Sequence, residues 1–161
     1  MNKKGQIGDM VFVLVTLIGI AIVLVVAGYV YTQIDIGFGQ SGMETTESAQ
    51  ALDSFASGFH IFDTSYAFIL VGLIMGLLVS SFFIPSHPIF LVINIFGFMI
   101  LVFIGAVFSN MYSDIILVEG LNASAMTYYP ITTFIATKLP WIGAIIVFLS
   151  SIIMYAKGQN E

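Results

Sequence analysis

Charged residues punctuate the chain at Lys3, Lys4, Asp9, Asp35, Glu44, Glu47, Asp53, Asp63, Asp114, Glu119, Lys138, Lys157 and Glu161, and long apolar runs fill the gaps between them. Residues 10–34 are uncharged and rich in Val, Ile and Leu. About 20 such residues cross the hydrocarbon of a bilayer as a helix, so this run predicts a first span. Residues 64–113 hold roughly two such lengths, and Ile84-Pro85-Ser86-His87-Pro88 interrupts them near the middle. Proline disfavours helix at the residue before it and lacks an N–H, so Pro85 ends a second span while Pro88 suits the first turn of a third. The prediction is a helical hairpin of spans 65–84 and 89–112. Residues 139–156 form a fourth, opened by Pro140 and the interfacial aromatic Trp141.

The fold class that follows is all-α: an integral membrane bundle of four transmembrane helices in one domain over residues 1–161, with connections at 35–64 and 113–138. Lys3 and Lys4 precede span one and Lys157 follows span four, whereas the first connection carries acidic residues and no lysine. Positive residues favour the cytoplasmic side, which places both termini there and both long connections outside. Within the first connection, Ala49, Leu52, Phe55, Ala56, Phe59 and Phe62 recur at three- and four-residue steps and predict a separate amphipathic helix over 44–62. Asp63 or Thr64 then reads as the N-cap of span two, and His60 shares a helical face with Asp63 three residues on. Tyr128, Tyr129 and Pro130, leading into residues 131–136, read as an interfacial anchor or a short half-inserted helix.

Composition agrees with lipid as the solvent: 59% of residues are hydrophobic, 8% are charged, and mean hydropathy is +1.06. Soluble domains carry about 25% charged residues. A net charge of −5 argues against nucleic acid as a partner, because there is no basic patch to neutralise phosphates. With no cysteine there are no disulfides or thiolate sites. No phosphate-cradling glycine loop, nucleophile elbow or zinc-binding His pair occurs, His87 lies in a turn without an acidic neighbour, and the predicted spans contain no Asp, Glu, Lys, Arg or His. These features exclude no single chemistry outright, but they point away from an enzyme and call for no cofactor or metal.

Helix-packing signals are more plentiful. Gly72 and Gly76 form Gly-x-x-x-Gly with Ser80 four residues further on, and Gly97 and Gly105 lie on a similar face of span three, a pattern that lets helices approach closely. Packing within the hairpin is the expected use. Asn94 is the one deep amide and reads as an interhelical hydrogen-bonding group, while the rival reading has Asn94, Ser80 and Ser109 facing the lumen of a small holin-like pore or channel. Asn122-Ala123-Ser124 fits the N-glycosylation pattern on the predicted outer side.

The opening Met-Asn-Lys3-Lys4-Gly5-Gln6-Ile7-Gly8-Asp9, followed at once by a long aliphatic run, resembles the class III signal segment of archaeal pilins and archaellins. The resemblance covers residues 1–30 and implies cleavage between Gly5 and Gln6, a filament-forming first helix, a secreted pilin-like subunit, and an archaeal or viral source. Three further spans have no counterpart in that family. Taken together, the residues favour a non-enzymatic structural or assembly subunit of a larger complex in a cellular envelope or virion membrane. Its partners are the lipid bilayer and other membrane proteins or further copies of itself.

Overall fold

The computed structural model describes residues 6–42, 45–83 and 88–158. Gly5 and the Pro85-Ser86-His87 turn lie outside them, as do the side chains of Gln6 and Asn94. The described chain is all helical: α1 Gln6–Ser41, α2 Thr46–Phe83, α3 Pro88–Ile116, α4 Leu121–Tyr128 and α5 Pro130–Gly158. Four of these, all but α4, are long and apolar enough to cross a membrane.

The helices overrun the charge-free gaps at several ends, because a charged side chain that reaches solvent, as Asp35 and Asp53 do, or is met by hydrogen-bond donors, as Asp63 is, does not stop a helix. Thus α1 continues past Asp35, and α2 runs unbroken from Thr46 through Asp53 and Asp63. The amphipathic segment is therefore the first half of α2 rather than a separate element. Its start is a reciprocal cap: the Ser48 N–H donates to Thr45 Oγ1 at 3.2 Å and the Thr45 N–H donates to Ser48 Oγ at 2.8 Å. Leu52, Ala56 and Phe59 face inward, but Phe55 and Phe62 are exposed. Neither Asp63 nor Thr64 caps α2; the Thr64 hydroxyl bonds back to the His60 carbonyl within the helix.

Pro140 does not open the fourth span either, since α5 begins ten residues earlier at Pro130 and carries Pro140 inside it. A proline there cannot donate to the carbonyl four residues back and disturbs the preceding turn. Ser109 of α3 reaches into that turn and donates to the Thr137 carbonyl at 2.8 Å, the kind of side-chain support that makes an interior proline tolerable in an apolar setting. Replacing Ser109 with alanine is expected to lower stability by about 1 kcal/mol, read as an earlier midpoint in an SDS unfolding titration followed by circular dichroism.

The neighbours in the bundle are α1 with α3, α3 with α5, and α5 with α2. Consecutive helices α2 and α3 do not pack closely on each other among the described residues; α5 separates them. The seam between α1 and α2 is bridged by two tyrosines, Tyr66 donating to the Leu17 carbonyl at 3.2 Å and Tyr31 to the Leu52 carbonyl at 3.0 Å. The core runs along the inner faces of all five helices, from Leu17, Ile18, Ala21 and Val25 of α1 to Ile135, Ala136 and Leu139 of α5. Just before α4, Gly120 takes φ +87°, a left-handed conformation that turns the chain back over α1.

Candidate functional site

The site with the most concentrated polar chemistry lies where α4 leads into α5. Helix α5 starts at Pro130, whose ring suits the first helical position and has no N–H to satisfy. The next two amides, those of Ile131 and Thr132, point out of the helix without an internal acceptor, as the first amides of any helix do. Neither Tyr129 nor Pro130 has a side chain that can accept from them. Asp63, 68 and 69 residues earlier on α2, takes that role: its carboxylate accepts from Ile131 N–H at 3.1 Å and from Thr132 N–H at 2.7 Å. One helix caps another.

Asp63 is only 2% exposed, so its charge is met mainly by these two amides and the positive end of the α5 dipole. Lys138 of α5 is exposed. His60 is exposed as well, so it and Asp63 point to different surroundings rather than sharing a face. A three-residue step leaves them about 60° apart around α2, with Asp63 buried and His60 exposed.

Hydroxyls and rings surround the carboxylate. Tyr112 of α3 pairs with Thr133 of α5 through their hydroxyls at 2.9 Å, both residues buried. Tyr129 is wholly buried, with its ring wedged against Gly28 of α1, where an added Cβ would sit 2.9 Å from ring carbon Cε2. Burial pushes the Tyr129 phenol above its ordinary range, with Asp63 adding to the effect, so the ring stays neutral. Among the described residues the Tyr129 hydroxyl and the Thr132 hydroxyl have no hydrogen-bond partner. Beyond them Tyr31, Phe59 and Tyr128 stack edge to face with centroids 5.3 to 5.5 Å apart, joining α1, α2 and α4. Tyr129 is thus a core residue, and the half-buried Tyr128 packs against that core.

No known sequence family, curated protein or solved structure matches this chain.

The chemistry of the site therefore rests on its own geometry. A buried carboxylate bound by two amides, with neutral phenols and threonines around it, has no nucleophile paired with a base. Among the described residues no group of three or more His, Asp or Glu is placed to hold a metal ion. The arrangement joins helices: Asp63 ties α2 to α5, the Tyr112–Thr133 pair ties α3 to α5, and Thr32 ties α1 to α4 through Ser124 at 3.3 Å.

The residues singled out for packing separate into two groups. Gly105 is buried against α1, where an added Cβ would lie 3.8 Å from Leu14 Cδ1, and Gly97 is half-buried in α3. Gly72 and Gly76 are exposed and a Cβ on either would meet nothing within 4 Å, so this stripe does not pack the hairpin together. Ser109, buried and bonded to Thr137, does not share an exposed face with Ser80. Asn122 is exposed near the start of α4, but Ser124 is buried with its hydroxyl on Thr32 and Gly120. An enzyme that reads both residues must act before α4 docks.

Proposed function

We propose that the chain spans a membrane four times, with both termini on the cytoplasmic side, and serves as a non-enzymatic structural or assembly subunit of a larger membrane complex. The orientation is supported by Lys3 and Lys4 before the first span, Lys157 after the fourth, and the acidic residues without lysine in the connection between the first two. The observation that carries the assembly role is the length of α1 and α2. At 36 and 38 residues they extend about 54 and 57 Å, against roughly 30 Å of hydrocarbon. Beyond the Tyr31–Leu52 bond, residues 33–41 of α1 are all exposed, and they include Ile34, Ile36 and Phe38. Phe55 of α2, 70% exposed, stands at the base of this arm, three residues to the bundle side of Leu52, and Asp35, Glu47 and Asp53 are exposed on the same stretches of the two helices.

Lipid tails do not reach an arm that stands outside the hydrocarbon, and water is a poor solvent for four large apolar side chains. A partner subunit with an apolar face and a basic rim covers it. The double variant Phe38→Ser with Phe55→Ser tests this: both side chains are exposed, so the unfolding free energy of the purified chain is expected to stay within about 0.5 kcal/mol of wild type. Co-purification of partner proteins from the source membrane should fall at least tenfold. Undiminished partner recovery with the double variant would remove the arm from the interface.

A further inference from the structure

We propose that the cavity enclosed between α1, α2, α3 and α5 takes up one acyl chain of a membrane lipid, drawn from the leaflet nearest the chain termini. The proposal rests on the membrane-spanning part of the reading above and is independent of the assembly role. The cavity has a volume of about 280 Å³ and is lined almost wholly by aliphatic side chains, among them Leu14, Leu73, Leu77, Val102 and Ile146. Water is a poor occupant, since an internal water needs two to four polar partners and Ser80 is the one hydroxyl among the described lining residues.

Size and position choose between the apolar occupants. Along α2 the lining runs from Leu70 to Ser80, which is about 15 Å at 1.5 Å per residue and equals the depth of one leaflet's hydrocarbon. A single alkyl chain has the right girth. The roof is closed, because Leu17 lines the cavity and its carbonyl holds the Tyr66 hydroxyl. The way in is the seam between α1 and α2, where, unlike the other three sides, the helices do not pack closely. Ser80 sits three residues from the end of α2, where the ester region of such a lipid would lie and where its hydroxyl can donate to an ester carbonyl.

The test is photo-crosslinking of the full chain in phosphatidylcholine vesicles containing a phospholipid with a diazirine on its acyl chain, with adducts mapped by mass spectrometry. Adducts are expected on inward residues Leu73, Leu77 and Val102 as well as on the exposed Phe103 and Phe148. Gly143→Leu fills the cavity from α5, where an added Cβ makes ordinary contact with Val102 at 3.5 Å, and Ser80→Leu fills it from α2. Each variant should lose inward adducts at least tenfold and keep the outward ones, which also report that it has folded and inserted. Outward adducts alone in the wild type would overturn the lipid site and leave the membrane reading standing. Absence of both kinds would overturn the two together, and inward adducts that survive both fillings would overturn the site.

Discussion

Replacing Asp63 with alanine is expected to destabilise the protein by about 2–5 kcal/mol, because it leaves the Ile131 and Thr132 amides buried without an acceptor. The loss should be concentrated at the α4 end of the bundle. Helix α5 begins with a proline and has no cap of its own, so its first turn depends on α2 for order. Asp63→Asn keeps one acceptor oxygen and gives up the charge that favours the helix N-terminus, and the expected loss is smaller, about 1–2 kcal/mol. An SDS unfolding titration of the three proteins in one detergent measures both differences. Equal losses for asparagine and alanine would assign the effect to the charge and contradict the capping role.

The second large effect is expected at Gly28. Tyr129 Cε2 lies 2.9 Å and Tyr128 Cδ2 lies 3.3 Å from where a Cβ would stand, and neither ring is free to retreat. Tyr129 is fully buried, and Tyr128 is held edge-on by Tyr31 and Phe59. Gly28→Ala should therefore cost about 1–3 kcal/mol by overpacking, and Gly28→Leu more. The cause is separable by a double-mutant cycle with Tyr129→Leu, in which removal of the ring should relieve most of the alanine penalty. A cost that is unchanged in the Tyr129→Leu background would place the strain elsewhere.

Much of the architecture was legible from the spacing of charges, and the parts that were not share a physical reason. Charge-free runs locate the four apolar helices because lipid-length segments tolerate few ionised groups. The same criterion truncates helices that go on beyond the apolar zone, as α1 does past Asp35 and α2 does before Asp63. Pro140 misleads because its effect depends on a neighbour: whether a proline ends a helix turns on whether another side chain, here Ser109, supports the disturbed turn. Pairing between helices is also invisible to local pattern. The Pro85 turn suggests that spans two and three pack together, yet α5 lies between them.

The capping role of Asp63 could not be assigned locally, since its partners are 68 and 69 residues away. Two traces of it are nonetheless present in the sequence. One is an aspartate next to a long apolar run with no basic residue nearby, and the other is a Tyr129-Pro130 helix start without a Ser, Thr, Asp or Asn to cap it. An uncapped proline start and an unpaired acid are complementary deficits. The glycine stripe failed in the opposite way, because Gly72 and Gly76 have the right spacing for close packing and face no other helix in the monomer.

The central claim is that this chain is a membrane-spanning subunit whose projecting arm is covered by another protein. The most direct test is native mass spectrometry of the chain extracted gently from its source membrane, recording the intact mass and whatever remains bound. The account predicts a complex of fixed stoichiometry containing at least one different protein, lost in the Phe38→Ser, Phe55→Ser variant. A chain that carries lipid alone, or only further copies of itself, would contradict it.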